Sequence, residues 1–237
     1  VRSYNFDGWA IAGALRHDIY FLTRLLLEMY EAGDLQQARW VHVLGTADLG
    51  TAVMLTALQR AITRHLGLQI RFSFDTSTPF RMLAGNQVFG LPRLSTSDMR
   101  VEQLRMPTGY MYHGKRLMWP WSSWLGDRMY MNDVNLPCSD DNSTQRDTLG
   151  NHLLALHNLQ ALCFAVRNAN RVFDVQLITG MAGSETGVVG QRQMRAIDAI
   201  NKIFANPKRS TLEAHVSAFN GLRLAYSLDE AEQERDF

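Results

Sequence analysis

The feature that most constrains the fold of this chain is a regular alternation of short apolar segments with longer amphipathic ones over its first 75 residues. Residues 9–13 and 40–45 are short apolar segments with the character of buried strands, and residues 68–74 have the pattern of a third strand. Residues 17–32 and 49–65 place apolar side chains at a helical period, and Gly33 ends the first of these helices. This alternation is typical of an α/β barrel or a doubly wound sheet.

The rest of the chain changes character twice. Residues 84–147 lose the alternation and are rich in Gly, Pro, Met and Trp, whereas residues 149–173 and 190–206 return to helical spacing. We therefore predict an α/β fold in three segments. Residues 1–90 hold the strands and helices, residues 91–148 form an irregular Trp- and Met-rich insertion, and residues 149–237 form a C-terminal helical part.

Composition sets broad limits on function. The 24 Lys and Arg residues nearly balance the 23 Asp and Glu residues, so any nucleic-acid contact must come from a local basic patch. The two cysteines, Cys138 and Cys163, are too few for a disulfide framework. No apolar run is long enough to span a membrane, and residues 1–7 lack the layout of a secretory signal. We therefore expect a cytoplasmic protein.

One carboxylate has the position of a catalytic group. Asp75 stands just past the third strand and before the loop-forming residues 76–79. Barrels of alternating strands and helices carry their catalytic side chains at the carboxyl ends of the strands, which is where Asp75 stands. The alternative is that Asp75 only caps the turn that follows it. The local pattern leaves both interpretations open.

Four segments resemble, in the same order, segments of the tRNA-guanine transglycosylase superfamily. Residues 74–89 are similar to its nucleophile segment, with Phe-Asp, a short spacer, Pro-x-Arg and then Gln before an aromatic residue. Residues 9–14, Trp-Ala-Ile-Ala-Gly-Ala, resemble its Phe-Ala-Ile-Gly-Gly-Leu strand end. Residues 42–46, His-Val-Leu-Gly-Thr, resemble its Leu-Met-Gly-Val-Gly strand, and residues 153–159 resemble its Leu-x-x-x-His-Asn-Leu helix. Together the matches span roughly residues 4–173.

The resemblance implies both a fold and a reaction. The fold is the C-terminal part of a TIM-type (β/α)₈ barrel with an inserted subdomain and C-terminal helices. In the reaction a carboxylate attacks the anomeric carbon of a nucleotide, guanine leaves, and a 7-deazaguanine base such as preQ0 attacks the covalent intermediate. Asp75 matches the attacking residue, and an ionised Asp suits this divided displacement.

The resemblance also implies binding residues. The main chain at Gly13 and Ala14 would hydrogen-bond the edge of the base, and Leu44 beside Gly45 would lie against its flat face. Arg81 would help to hold the nucleic acid. The alternatives are that Gly13 serves tight packing, that Leu44 is ordinary barrel core and that Arg81 is a solvated loop residue.

A further stretch has the composition of a nucleic-acid surface. Lys115 and Arg116 precede Trp119, Trp121 and Trp124, which interleaves positive charge with aromatic rings. The alternative is that these rings form the core of the inserted subdomain.

The zinc site of the family is reduced here. Family members carry Cys-x-Cys-x-x-Cys and a later His, which together close a structural zinc site. Only Cys138 and His157 match, while Asp140 and Ser143 stand at the positions of the other two thiolates. We therefore expect zinc to be lost or weakly held, because thiolates bind it most tightly. This change and the short connection to His157 favour the DNA-modifying branch from phages and bacteria over the tRNA enzymes.

The resemblance covers only about three of the eight strands of a barrel. Three strands cannot close a barrel, so either further strands precede Val1 or another chain completes it. Two other functions stay open. One is a non-catalytic, nucleic-acid-binding subunit of a transglycosylase complex. The other is an unrelated α/β-barrel enzyme that uses Asp75 as an acid or base.

Overall fold

A computed structural model describes residues 6–12, 18–45, 48–94, 99–106, 116–134, 136–137, 144–145, 147–179, 190–220 and 222. The chain divides into two compact units. The first comprises Val1–Thr76, Ser95–Asp98 and Ala169–Phe237, and the second comprises Ser77–Leu94 and Met99–Asn168. None of the helices within the described ranges is both long and apolar enough to cross a membrane.

The first unit contains a parallel sheet of three strands. The strands are β1 (Gly8–Ile11), β2 (Trp40–Val43) and β3 (Arg71–Phe74), and they pair in the order β1-β2-β3. Helices α1 (Ile19–Glu31) and α2 (Asp34–Gln37) connect β1 to β2, and α3 (Leu49–Leu66) connects β2 to β3. The predicted α/β class is thus confirmed. The described residues form an open sheet and no closed barrel.

Local signals fix the ends of the two long helices between these strands. The carboxylate of Asp18 accepts hydrogen bonds from the N–H groups of Tyr20 and Phe21 at the start of α1. Asp48 accepts from Thr51 N–H at the start of α3. Helix α3 ends at Gly67, whose φ of 71° lies in the left-handed region that glycine adopts at low cost.

The two faces of the sheet differ in character. Side chains alternate along β2, so Val41 and Val43 are fully buried while Trp40 is 50% exposed. The buried face forms a core with α1 and α3, whose inward residues include Leu22, Leu26, Leu55 and Leu58. The opposite face carries Trp40 and His42 on β2 and Ser73 on β3.

Three further helical segments belong to the first unit. They are α7 (Gln191–Ala205), α8 (Arg209–Ala214) and the 3₁₀ turn Val216–Phe219. Helix α7 packs against α3 and buries Ile197, Ile200, Ile203 and Phe204.

The second unit is built on an antiparallel hairpin and the first two thirds of a long helix. The hairpin consists of β4 (Gln87–Leu94) and β5 (Met99–Arg105), and the helix is α6 (Thr148–Thr179), whose residues up to Asn168 lie in this unit. The smaller elements are α4 (Thr78–Arg81), the 3₁₀ turn Gly126–Arg128, α5 (Met131–Val134), β6 (Leu136–Pro137) and β7 (Thr144–Gln145). The core of this unit consists of Val88, Met106, Trp119, Met129, Met131, Val134 and Leu154.

The structure confirms the predicted helices and strands outside residues 84–147, with ends shifted by a few residues. The hairpin of β4 and β5 begins at Gln87, before the predicted start of the irregular insertion at residue 91, and continues into that insertion. Gly90 and Pro92 interrupt the apolar alternation of β4, and the register of the hairpin shifts between Phe89 and Pro92. The predicted boundaries at residues 90 and 148 follow composition rather than contacts, so the three-segment division stays a prediction.

Candidate active site at the sheet edge

The structure brings two of the predicted site residues together. Asp75 follows β3 directly, and its Oδ1 accepts a hydrogen bond of 2.7 Å from the backbone N–H of Gly45. Gly45 lies just after β2 with a φ of 70°, a conformation that favours glycine. Because β2 and β3 are parallel neighbours, their carboxyl ends share one edge of the sheet. The side chain of Asp75 is 57% exposed there, as a group that meets a substrate must be.

A histidine stands beside this carboxylate. His42 Nε2 lies 3.7 Å from Asp75 Oδ1, and the His42 side chain is 19% exposed. On the other side of the ring, Nδ1 lies 2.8 Å from Ser73 Oγ. Trp40 Nε1 donates to the same hydroxyl oxygen at 2.6 Å. The four side chains therefore form a continuous line from Trp40 through Ser73 and His42 to Asp75.

The sequence interpretation assigned no role to His42, Ser73 or Trp40. The signal that could have found them is the two-residue period of a strand. That period places Trp40 and His42 on one face of β2, and Ser73 and Asp75 on one face of β3. The register pairs His42 with Ser73 across the two strands, which the sequence alone does not specify.

The predicted base-binding residues divide between described and undescribed parts of the chain. Leu44 is half-buried beside Gly45, and its N–H donates to the Ile11 carbonyl at 2.9 Å. This bond extends the pairing of β1 and β2 to the edge at which Asp75 lies. Gly13 and Ala14 fall outside the described residues, so their contact with the base stays a prediction.

The predicted nucleic-acid residues lie in the second unit or outside the described ranges. Arg81 is exposed at the end of α4, and Lys115 is outside the described residues. The Arg116 guanidinium lies 4.0 Å from the ring centre of Tyr130. Arg128, which the sequence interpretation did not single out, stacks 4.6 Å over Trp124.

The tryptophans of the same region serve two purposes. Trp119 is only 6% exposed and packs edge-on against Trp121, with 4.9 Å between ring centres. Trp124, in contrast, is 62% exposed. The aromatic stretch therefore supplies both core and surface; the core interpretation holds for Trp119, and the nucleic-acid surface stays a prediction.

His157 is a fully buried residue with protein partners at both ring nitrogens. Trp119 Nε1, which can only donate, lies 3.3 Å from Nδ1, and Ser123 Oγ lies 2.8 Å from the same atom. Nδ1 is therefore the acceptor, and Nε2 donates to the Phe89 carbonyl at 3.0 Å. Burial lowers the pKa of His157, opposed by this bond to Phe89, so the ring is held neutral.

The neighbouring Asn158 completes this arrangement. Its Oδ1 accepts from Phe89 N–H at 2.8 Å, and its Nδ2 donates to the carbonyls of Pro79 and Gln87 at 3.2 and 3.3 Å. The pair of His157 and Asn158 thus satisfies both backbone polar groups of Phe89.

A metal ion at His157 would have to displace one of these partners. The other positions of the family zinc site, Cys138, Asp140 and Ser143, lie outside the described residues. Within the described ranges, no group of three or more His, Cys, Asp or Glu side chains could hold a metal ion. The lost or weakened zinc site stays a prediction.

Comparison with known proteins gives no relative for this chain: no family model, no curated protein and no solved structure matches it significantly. Its function must be argued from its own residues.

Proposed function

We propose that this chain carries the nucleophile of a transglycosylase that exchanges guanine in nucleic acid for a 7-deazaguanine base such as preQ0. The observation that carries the proposal is the exposed carboxylate of Asp75, held by Gly45 N–H where two parallel strands end. The four ordered segments that resemble the transglycosylase superfamily support it, since Asp75 and Gly45 come from two different ones.

The geometry suits a carboxylate that attacks through one oxygen. Oδ1 is engaged by Gly45, and we assign the attack to the other oxygen, Oδ2. Attack by Oδ2 on the anomeric carbon forms a C–O ester bond and breaks the glycosidic C–N bond, and guanine leaves with the electron pair and takes up a proton. The glycosidic nitrogen of the incoming base then attacks the same carbon, loses its proton and displaces the carboxylate.

The open sheet supports the view that more strands complete this site. Neither β1 nor β3 pairs with a further strand among the described residues, and half of the Trp40 surface on the open face is exposed. Unpaired edges and exposed aromatic area are costly in a finished fold. We infer a (β/α)₈ barrel that is completed by further strands of the same protein or by another chain.

The second unit carries the surface that we assign to nucleic acid. Arg116 and Arg128 are exposed and stack on aromatic rings, and the Trp124 ring is itself exposed. Guanidinium groups bind phosphate, and exposed rings stack on unpaired bases.

A second candidate function is acid or base catalysis by Asp75 in an enzyme of another kind. The contact between His42 and Asp75 favours it, because paired imidazole and carboxylate groups commonly transfer protons. Only base exchange forms a covalent adduct. Trapping the chain on a guanine-containing oligonucleotide and mapping the adduct to Asp75 would therefore separate the two candidates, and a chain without a nucleophile would trap nothing.

Replacement of the nucleophile tests the proposal directly. We expect Asp75→Asn to reduce the exchange of labelled guanine by at least about a thousandfold while nucleic-acid binding is retained, because Asn keeps the volume and loses the attacking charge. Exchange is measured as label incorporated into an oligonucleotide by the complete protein. Asp7→Asn, at an exposed carboxylate just before the amino end of β1, is the matched control and should exchange at the parent rate. Exchange by Asp75→Asn at anything near the parent rate would sink the assignment.

A further inference from the structure

The line of side chains from Trp40 to Asp75 has a direction that follows from donor and acceptor chemistry. Trp40 Nε1 can only donate, so Ser73 Oγ is the acceptor of that 2.6 Å bond. This leaves Ser73 able to donate its own hydroxyl proton to His42 Nδ1 at 2.8 Å. Trp40 thereby orients the hydroxyl that contacts the imidazole.

The proton on His42 is then directed at the carboxylate. A neutral ring that accepts from Ser73 at Nδ1 carries its proton on Nε2, which lies 3.7 Å from Asp75 Oδ1. The opposite tautomer would turn the Nε2 lone pair toward a carboxylate oxygen, which is repulsive. A doubly protonated ring also presents an Nε2–H group to Asp75. The Nε2 proton is therefore common to both favourable forms.

The 3.7 Å between His42 Nε2 and Asp75 Oδ1 is too long for a formed hydrogen bond. Catalytic hydrogen bonds often shorten when substrate binds and water leaves, so a small movement of either side chain closes the gap. Oδ1 would then receive two donors, Gly45 N–H and His42 Nε2–H, which fix the plane of the carboxylate.

We propose that His42 is a positioning residue for Asp75, oriented by Ser73 and Trp40 so that its Nε2 proton holds Oδ1 and leaves Oδ2 to attack. The proposal rests on the proposed function of Asp75 and adds three residues to that site. His42 contacts no reacting atom in this scheme and acts through the carboxylate.

The first test is spectroscopic and needs no activity. In ¹⁵N-labelled protein, long-range ¹H–¹⁵N spectra distinguish a protonated from an unprotonated ring nitrogen, and loss of a signal in His42→Gln assigns the ring. We expect His42 to carry its proton on Nε2 in the parent and in Ser73→Thr, and to become a mixture of tautomers in Ser73→Ala. A parent His42 protonated on Nδ1 alone, or a tautomer unaffected by Ser73→Ala, overturns the proposal.

The second test is kinetic. It uses Ser73→Ala and Ser73→Thr again and adds Trp40→Phe. We expect Ser73→Ala and Trp40→Phe to lower kcat about tenfold with KM within about twofold, the loss that one hydrogen bond accounts for. Ser73→Thr keeps the hydroxyl on a residue that suits a strand and should restore kcat. Ser217→Ala, at an exposed serine of the 3₁₀ turn Val216–Phe219, is the control for the substitution itself.

The two tests separate this proposal from the proposed function. Absence of any exchange by the complete parent protein counts against transglycosylation, and the tautomer series then still decides how His42 is held. Exchange that is present but has the same kcat in Ser73→Ala overturns the positioning role and leaves the nucleophile assigned.

Discussion

The buried residues His157 and Asn158 on α6 hold the backbone of β4 in place through hydrogen bonds. Between them they satisfy the N–H and the C=O of Phe89 and two further carbonyls on β4 and before it. A buried backbone group left without a partner costs about 1–3 kcal/mol, which is more than a satisfied bond contributes. The pair therefore fixes the position of β4 against α6 more strictly than apolar packing would.

Protonation of His157 should destabilise the fold. Burial lowers the pKa of His157 in the folded state, so below its ordinary value of 6.5 the unfolded chain binds a proton that the folded chain does not. The free energy of unfolding therefore falls as the pH drops below about 6.5, by at most about 1.4 kcal/mol per pH unit from this group, and the contribution is complete above that pH.

Urea unfolding followed by tryptophan fluorescence from pH 7.5 down to pH 5 measures this dependence. His157→Gln should be less stable at pH 7.5 by about 1–3 kcal/mol and show a shallower dependence on pH, because the titrating ring is gone. His65→Gln, at an exposed position near the end of α3, should keep the parent profile. An equally steep profile in His157→Gln would show that other groups carry the effect.

The site was predicted from sequence in part. Asp75 is placed by the end of a strand, and Gly45 by the resemblance, but the contact between them requires the parallel register of β2 and β3. His42 and Ser73 depend on that register even more, since a slip of one residue would turn them to opposite faces. Long-range pairing is the information that a single sequence lacks.

At the scale of elements, a helix end is determined by residues close in sequence, whereas a strand of mixed composition depends on residues distant in sequence. The helical period of their apolar residues predicted α1 and α3, and in the structure Asp18 and Asp48 cap these helices through bonds to residues two or three positions away. The strand β4 contains Gly90 and Pro92, and its stability comes from β5 and from Asn158. Its existence could not be inferred from its own residues.

Gly150 offers a test in which local and tertiary effects have opposite signs. It lies in the first turn of α6, where its N–H bonds to Asp147 Oδ1 at 2.7 Å, and helix propensity alone would make Gly150→Ala stabilising by up to about 1 kcal/mol. However, a Cβ at this position would lie 2.5 Å from the Val134 carbonyl oxygen. We expect the close contact to dominate, with a net destabilisation of about 1–3 kcal/mol.

The measurement is the midpoint of thermal or urea unfolding of Gly150→Ala. Leu149→Ala, at the adjacent and 62% exposed position, should lie within about 0.5 kcal/mol of the parent. A more stable Gly150→Ala would mean that α5 can move away from α6 at little cost.

At the scale of the whole molecule, the described strands leave both outer strands of the parallel sheet unpaired on one side. The three strands and the long helices α1 and α3 between them were visible in the sequence because each is built from local patterns. Closure of a barrel depends on strands that pair with β1 and β3, and the described residues contain none. The chemistry proposed for Asp75 can be argued from two strands, whereas the substrate pocket of the proposed barrel would need its other strands as well.

Two features of the second unit bear on which nucleic acid the proposed transglycosylase would modify. The family zinc segment matches only at Cys138 and His157, and His157 is engaged by Trp119, Ser123 and Phe89. In the tRNA enzymes that this chain resembles, the zinc-bearing subdomain helps to fit the folded RNA. A zinc segment with fewer matching ligands should fit folded tRNA less well, which favours a polymer of regular shape such as duplex DNA. The exposed ring of Trp124 could stack on an unpaired base, a contact typically worth about 1–3 kcal/mol.

We therefore expect the proposed transglycosylase to modify duplex DNA more efficiently than tRNA. Extruding a base from a duplex costs a few kcal/mol, so the enzyme needs a compensating contact. Trp124 is the exposed ring in the described part of the second unit best suited to provide it.

The test is a competition in which labelled 7-deazaguanine base, duplex DNA and unmodified tRNA are incubated together, after which each polymer is digested and its label counted. The ionic strength must be fixed, because phosphate contacts weaken with salt on either polymer. Trp124→Ala should lose about tenfold or more of its DNA labelling, whereas Leu117→Ala, at an exposed apolar residue of the same unit, should match the parent. Label found mainly in tRNA would reverse the substrate assignment and leave the role of Asp75 intact.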